Sequence, residues 1–161
     1  MIIYIIGAFV PEAEAKISVY DQGFMFGNGV YEIERTFGGQ PFRLDDHLGR
    51  LRRSLKYVEL DGDGLVDRVR DATLEIMARN ADEIDQPGDV WVHQIVTGGC
   101  GDLDLGGAVR PSIVVTLRPL QFDTFGPLYE SVDRNLYAKL LTAWIERVGF
   151  DFVGQAQARL Y

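Results

Sequence analysis

The chain has 161 residues, enough for one domain of ordinary size or one and a small fraction. Hydrophobic residues make up 47% and charged residues 25%, the balance of a globular protein rather than a disordered or membrane-embedded one. The net charge is -8 and the densest basic cluster is the short run Arg50–Lys56, so the chain lacks the clustered Lys and Arg that neutralise nucleic-acid phosphates.

The opening run MIIYIIGAFVPE has no basic leader, breaks at Gly7 and Pro11, and is too short to span a bilayer. IIYII is therefore predicted to be a buried strand, and no membrane partner is expected. Cys100 is the only cysteine, so no internal disulfide can form and the cytoplasm is the expected compartment. AKISVY (15–20) reads as a second β-type run, and DQGFMFGNG (21–29) as a turn. VYEIERTF (30–37) alternates cleanly, with Tyr31, Ile33 and Arg35 on one face and Glu32, Glu34 and Thr36 on the other. GGQ (38–40) predicts a hairpin into the brief strand PFRL.

Two amphipathic helices follow. Asp45 is the expected N-cap of the first, with Leu48, Leu51, Leu55 and Val58 at helical spacing. Asp63 is the expected cap of the second, whose stripe is Leu65, Val66, Val69, Ala72, Thr73 and Ile76. DVWVHQIVT (89–97) and PSIVVTLRP (111–119) read as two longer strands joined by a loop rich in Gly and Asp. Leu136, Tyr137, Leu140, Leu141, Trp144, Ile145 and Val148 predict a last amphipathic helix. The expected class is α+β, a largely antiparallel sheet with two helices packed on it.

Residues 20–51 hold the chemistry worth weighing. Arg50 falls near the solvent boundary of its helix, where an arginine fork can reach back along the sheet edge to a phosphate. The same position suits a solvated helix face with snorkelling arginines. Tyr31 and Arg35 make either an aromatic wall with a cation beside it or a core tyrosine with a rim arginine. Gly23, Gly27 and Gly29 match neither GxGxxG nor GxxxxGK, so their expected role is backbone geometry. His47 and His93 are the only histidines and have no second ligand at useful spacing, so no metal site is expected. Cys100 has no His on its element, and GxSxG is absent.

Taken together, AFVPEAEAKISVYDQGFMFGNGVYEIERTFGGQPFRLDDHLGRLRRSLKYVEL resembles the N-terminal domain of the class IV aminotransferases, the fold-type IV enzymes dependent on pyridoxal 5'-phosphate (PLP). The resemblance rests on a D-x-G-F turn, a G-x-G-V-[FY]-E strand and an H-L-x-R-L helix. It continues more loosely through DVWVHQIVTGG and RPSIVVTLRPL, to about residue 128. It implies a domain spanning 1–128 that lies over one face of PLP, followed by an interdomain or C-terminal segment over 129–161. Arg50 would hold the cofactor phosphate. Phe26, Tyr31, Arg35, Trp91 and His93 would shape the substrate pocket. The substrates implied are an amine or amino acid and a keto acid, and the implied assembly is a homodimer.

The chain departs from the pattern in two places. A T-R-G run common among carboxylate-binding members is Thr97-Gly98-Gly99 here, and the second domain, which supplies the cofactor-binding lysine, is not recognisable. Of Lys16, Lys56 and Lys139, only Lys139 stands where that lysine would fall, and its helical position is nearly opposite the apolar stripe. Amino transfer is the expected reaction, with a PLP-dependent lyase of the same family, a non-catalytic remnant that dimerises or binds a ligand, or a fragment as the alternatives.

Overall fold

The computed structural model describes residues 1–84, 88–100 and 110–120. All of them belong to one compact unit, Met1–Leu120. Its centre is a six-stranded sheet in which every neighbouring pair is antiparallel. The strands are β1 (Ile2–Ile5), β2 (Ala8–Pro11), β3 (Gly29–Phe37), β4 (Gln40–Pro41), β5 (Val90–Thr97) and β6 (Ser112–Pro119), in the order β2-β1-β6-β5-β3-β4. The helices are α1 (Gln22–Phe26), α2 (Leu44–Tyr57) and α3 (Leu65–Arg79). This is the α+β architecture expected.

Two tight turns set the sheet's outer edges. Ile6 and Gly7 have φ of 49° and 84°, and Gly38 and Gly39 have 56° and 75°. Paired positive φ values match the right-handed twist of hairpin strands, so each pair closes a two-residue connection. The first turn overturns one expectation. β2 is formed by AFVP, within the segment expected to separate two strands, and Ala15–Tyr20 forms no strand. The hairpin has already filled the place beside β1, and Ile17 and Val19 are left exposed. The brief strand after GGQ is also displaced, to Gln40–Pro41.

The turn expected over 21–29 contains the short helix α1. Asp21 caps it by accepting from the Gly23 amide at 2.8 Å, and Gly27 ends it in the left-handed region. At α2 and α3 the proposed caps are not the caps. Arg43 (φ 55°) and Gly64 (φ 66°) stand at those positions, and neither helix has a side-chain cap. Asp45 lies inside the first turn, ion-paired with Arg70 of α3.

The apolar stripes pack as their spacing predicted. Leu48, Leu51 and Leu55 of α2 join Leu65, Val66, Val69, Ala72 and Ile76 of α3 against Val90, Val92, Val96, Ile113, Val115 and Leu117. The consequence for β3 is an inversion of ordinary polarity. The helices cover the face carrying Glu32, Glu34 and Thr36, all buried, whereas Tyr31 is 68% exposed on the opposite face. A buried carboxylate stays charged only with partners, and those of Glu32 build the site.

Candidate active-site wall

Glu32 stands on the helix-covered face of β3 and is 3% exposed. The Nε of Arg50 donates to Glu32 Oε1 and Oε2 at 2.8 and 2.9 Å, and Nη2 donates to Oε2 at 2.5 Å. His47, one turn earlier on α2, places Nδ1 3.1 Å from the same Oε2. Burial alone would raise the Glu32 carboxyl, but the bonds and charges of Arg50 and His47 outweigh it and hold the group below the usual carboxylate range. An ionised carboxylate only accepts, so His47 Nδ1 carries the hydrogen. The Arg50 Nη2–His47 Nδ1 approach of 3.4 Å is then donor against donor, a contact and not a hydrogen bond. The Arg50 side chain is 58% exposed, and its Nη1 has no hydrogen-bond partner among the described residues. The guanidinium therefore keeps one edge on Glu32 and turns the other outward, a donor set that fits a phosphate.

Tyr31 lies on the other side of the same strand. Phe42 N donates to Arg35 O at 2.9 Å, so the backbone of Arg35 faces β4. Period-two alternation sends the amides and carbonyls of Ile33 and Tyr31 to that same side. β4 pairs only with Thr36 and Phe37, and no described strand covers the edge before them. Tyr31 and the Glu32–Arg50 pair thus stand on opposite faces of β3, a strand with one open edge.

The remaining pocket candidates divide between two ends of the strands. Phe26, 62% exposed, rides on α1, which is tied to the end of β5. Thr97 Oγ1 donates to buried Asp21 at 2.9 Å, and Gln22 N donates to Gly99 O at 3.0 Å. This puts Phe26 at the Tyr31 end, since Tyr31 opposes Ile95. Arg35 opposes Trp91, and His93 opposes Ile33 between them. Trp91 and His93 are half-buried on the Tyr31 face. Arg35 is about 13 Å along the strand from Tyr31 at the usual rise per residue. Its Nη2 lies 3.4 Å from Asp89, and its guanidinium stacks on Phe37 at 3.8 Å. Asp89 also accepts from Thr36 Oγ1 at 2.7 Å and Gly39 N at 3.2 Å; these bonds and Arg35 overcome the opposing effect of burial and keep its carboxyl low. Burial, and then the Arg118 charge, lower the His93 imidazole below its ordinary value, which favours the neutral ring. Lys139 and the amphipathic helix expected over 136–148 lie outside the described residues.

Where the T-R-G arginine would stand, Gly98 leaves little room. A Cβ there would lie 2.5 Å from Gln22 Oε1 and 2.7 Å from Asn28 Nδ2, and those two amides are hydrogen-bonded to each other at 2.8 Å. Glu32 and the role of His47 beside it were not foreseen from the sequence. The available signal was the acidic face of β3 itself: if α2 covered that face, a charged Glu on it would need the cations of that helix.

The six-stranded antiparallel sheet with α2 and α3 on one face shares its fold with part of solved fold-type IV aminotransferases. The model of the family Amino-transferase class IV matches residues 29–130, and the chain belongs to that family. A protein of Methanocaldococcus jannaschii assigned provisionally as a branched-chain-amino-acid aminotransferase is 36% identical over 105 residues, 65% of this chain and 35% of its own. A D-alanine aminotransferase of Staphylococcus haemolyticus is 35% identical over 78 residues, 48% of this chain and 28% of its own. An aminodeoxychorismate lyase of Bacillus subtilis is 42% identical over 59 residues, 37% of this chain and 20% of its own. Among solved structures, the Escherichia coli branched-chain amino acid aminotransferase superposes with a TM-score of 0.62 at 18% identity, over 74% of this chain and 40% of that one, a likeness of fold. The chain spans about a third of the length of the curated relatives it matches.

Proposed function

We propose that the chain supplies the N-terminal wall of a PLP-dependent aminotransferase that moves an amino group between an amine or amino acid and a keto acid. The observation that carries this reading is Arg50, buried on one guanidinium edge and open on the other, at the family's H-L-x-R-L position. In this reading Arg50 binds the cofactor phosphate. Tyr31 and Phe26 line the substrate side at the same end of the sheet, with Trp91, His93 and Arg35 further along. A neutral His93 serves as a hydrogen-bonding wall rather than a charge clamp. PLP, when bound, supplies the electron sink that lets a proton leave the amine-bearing carbon. Lys139 is the proposed covalent anchor, since Lys16 and Lys56 lie within the N-terminal motif region and are exposed. The reading further includes a homodimer in the cytoplasm; no helix among the described residues is long and apolar enough to cross a membrane.

Borohydride reduction of the chain with PLP, followed by intact mass and peptide mapping, tests it. A single stoichiometric adduct on Lys139 is the expected result. Slow, scattered labelling of all three lysines would identify a domain that keeps the family's wall without its chemistry. The similarity to an aminodeoxychorismate lyase supports elimination as a second reading. Turnover of a keto-acid acceptor separates the two, because only amino transfer consumes one.

A further inference from the structure

We propose that Glu32 is the positioning residue that aims Arg50 at its anion, with His47 holding the carboxylate in place. This rests on the reading of Arg50 as the phosphate anchor and extends it to a residue that touches neither cofactor nor substrate. An arginine on an exposed helix face has a long, flexible stem, and its guanidinium has no fixed direction unless something takes one edge. Glu32 takes the Nε–Nη2 edge with three contacts of 2.5 to 2.9 Å. The planar fork then has one remaining direction for Nη1 and the second Nη2 hydrogen, away from the carboxylate.

The carboxylate is itself fixed. Its backbone lies in β3, paired through Gln94 of β5, and His47 donates to Oε2 from the turn before Arg50. Helix and strand are thereby locked at the point where the arginine leaves the helix. The two partners are unequally exposed, Glu32 at 3% and the Arg50 side chain at 58%. The asymmetry leaves a shielded acceptor beneath and an open donor edge above. Charge balance fits the same role, because the pair is neutral before binding and the outward hydrogens remain available to an anion.

The test measures dissociation constants for pyridoxal 5'-phosphate and for pyridoxal, by fluorescence titration of the full chain, in the parent, E32Q, R50A and the double variant. The ratio of the two constants isolates the phosphate. The parent is expected to prefer the phosphorylated form; E32Q should lose about tenfold of that preference with pyridoxal binding unchanged, and the loss should vanish in the R50A background. E32D, which keeps the charge one methylene further back, should fall between parent and E32Q and carries the test if E32Q does not fold. The ligand-free chain gives a second readout: the Arg50 Nε–H resonance is expected to exchange slowly in the parent and fast in E32Q. If R50A removes the phosphate preference and folded E32Q or E32D does not, the positioning role is wrong and the anchor stands. A preference that survives R50A, or a parent without one, overturns the anchor and the positioning role together.

Discussion

Glu34 illustrates how one buried side chain sets a pH dependence. It is 2% exposed, accepts from Gln94 Nε2 at 3.0 Å, and its Oε2 has no hydrogen-bond partner among the described residues. Burial pushes its carboxyl up to about 7, with the Glu32 charge adding to the rise and His47 and Gln94 opposing it. The folded chain then keeps a proton that the unfolded chain releases near pH 4.5. The resulting stabilisation is complete below pH 4.5, declines as pH rises towards about 7, and is gone above it. Its full size is about 3 kcal/mol. Urea midpoints between pH 5 and 8 should fall in the parent and hold nearly level in Glu34→Gln; an equal fall in both would exclude Glu34 as the source. Glu32 and Asp89 act with the opposite sign, since their lowered carboxyls stabilise at neutral pH and lose that contribution in acid. Removing Arg50 leaves Glu32 buried with His47 alone. Arg50→Ala should lower stability by about 2 kcal/mol, less than for a wholly buried pair because water reaches the arginine.

At the scale of elements, the end of β5 is closely packed against the chain before β6 and against α1. Gly99 has φ of 70°, and a Cβ there would lie 2.0 Å from the Arg110 carbonyl oxygen, a backbone atom that cannot swing aside. Gly99→Ala should cost about 3 kcal/mol or more, read as a drop in thermal midpoint, and it should also loosen α1 because Gln22 donates to Gly99 O. Asp21→Ala removes the cap of α1 and the acceptor of Thr97 Oγ1; about 1–2 kcal/mol of destabilisation is expected. The helices were the most legible elements, since each stripe repeats over several turns and the buried set of α3 matches its expected stripe residue for residue. Their starts were less legible. Asp45 and Asp63 have cap chemistry, but the chain enters both helices through left-handed residues, which leaves the acids inside or before the first turn. AKISVY had the right alternation and no place in the sheet.

For the whole molecule, every residue of the buried apolar cluster lies between Leu48 and Leu117. A chain ending at Leu120 should therefore keep a cooperative unfolding transition, measurable by circular dichroism in urea. A gradual, non-cooperative loss of signal would mean that this cluster is too small to fold by itself. The sheet face bearing Tyr31 and Ile33 exposes both side chains and is covered by neither α2 nor α3. In the proposed enzyme that face looks towards the cofactor, so PLP should protect Tyr31 from chemical modification while leaving exposed Tyr57 reactive.

The sequence by itself determined the class of the fold, the amphipathic helices α2 and α3, the alternation of β3 and the motif positions of Tyr31 and Arg50. These are local patterns, fixed by the period of helix or strand and by residue type. The tertiary structure alone decided which face of β3 would be buried. Alternation separates Tyr31, Ile33 and Arg35 from Glu32, Glu34 and Thr36, but it assigns neither set to the core. Packing of α2 and α3 chose the acidic set, because their stripes close on Val92, Val96, Val115 and Leu117 of the same face. Once that choice was made, a buried carboxylate had to find a cation, and Glu32 found Arg50 and His47 across 15 to 18 residues of sequence. No local pattern encodes that meeting; it follows from the high cost of burying a charge without a partner.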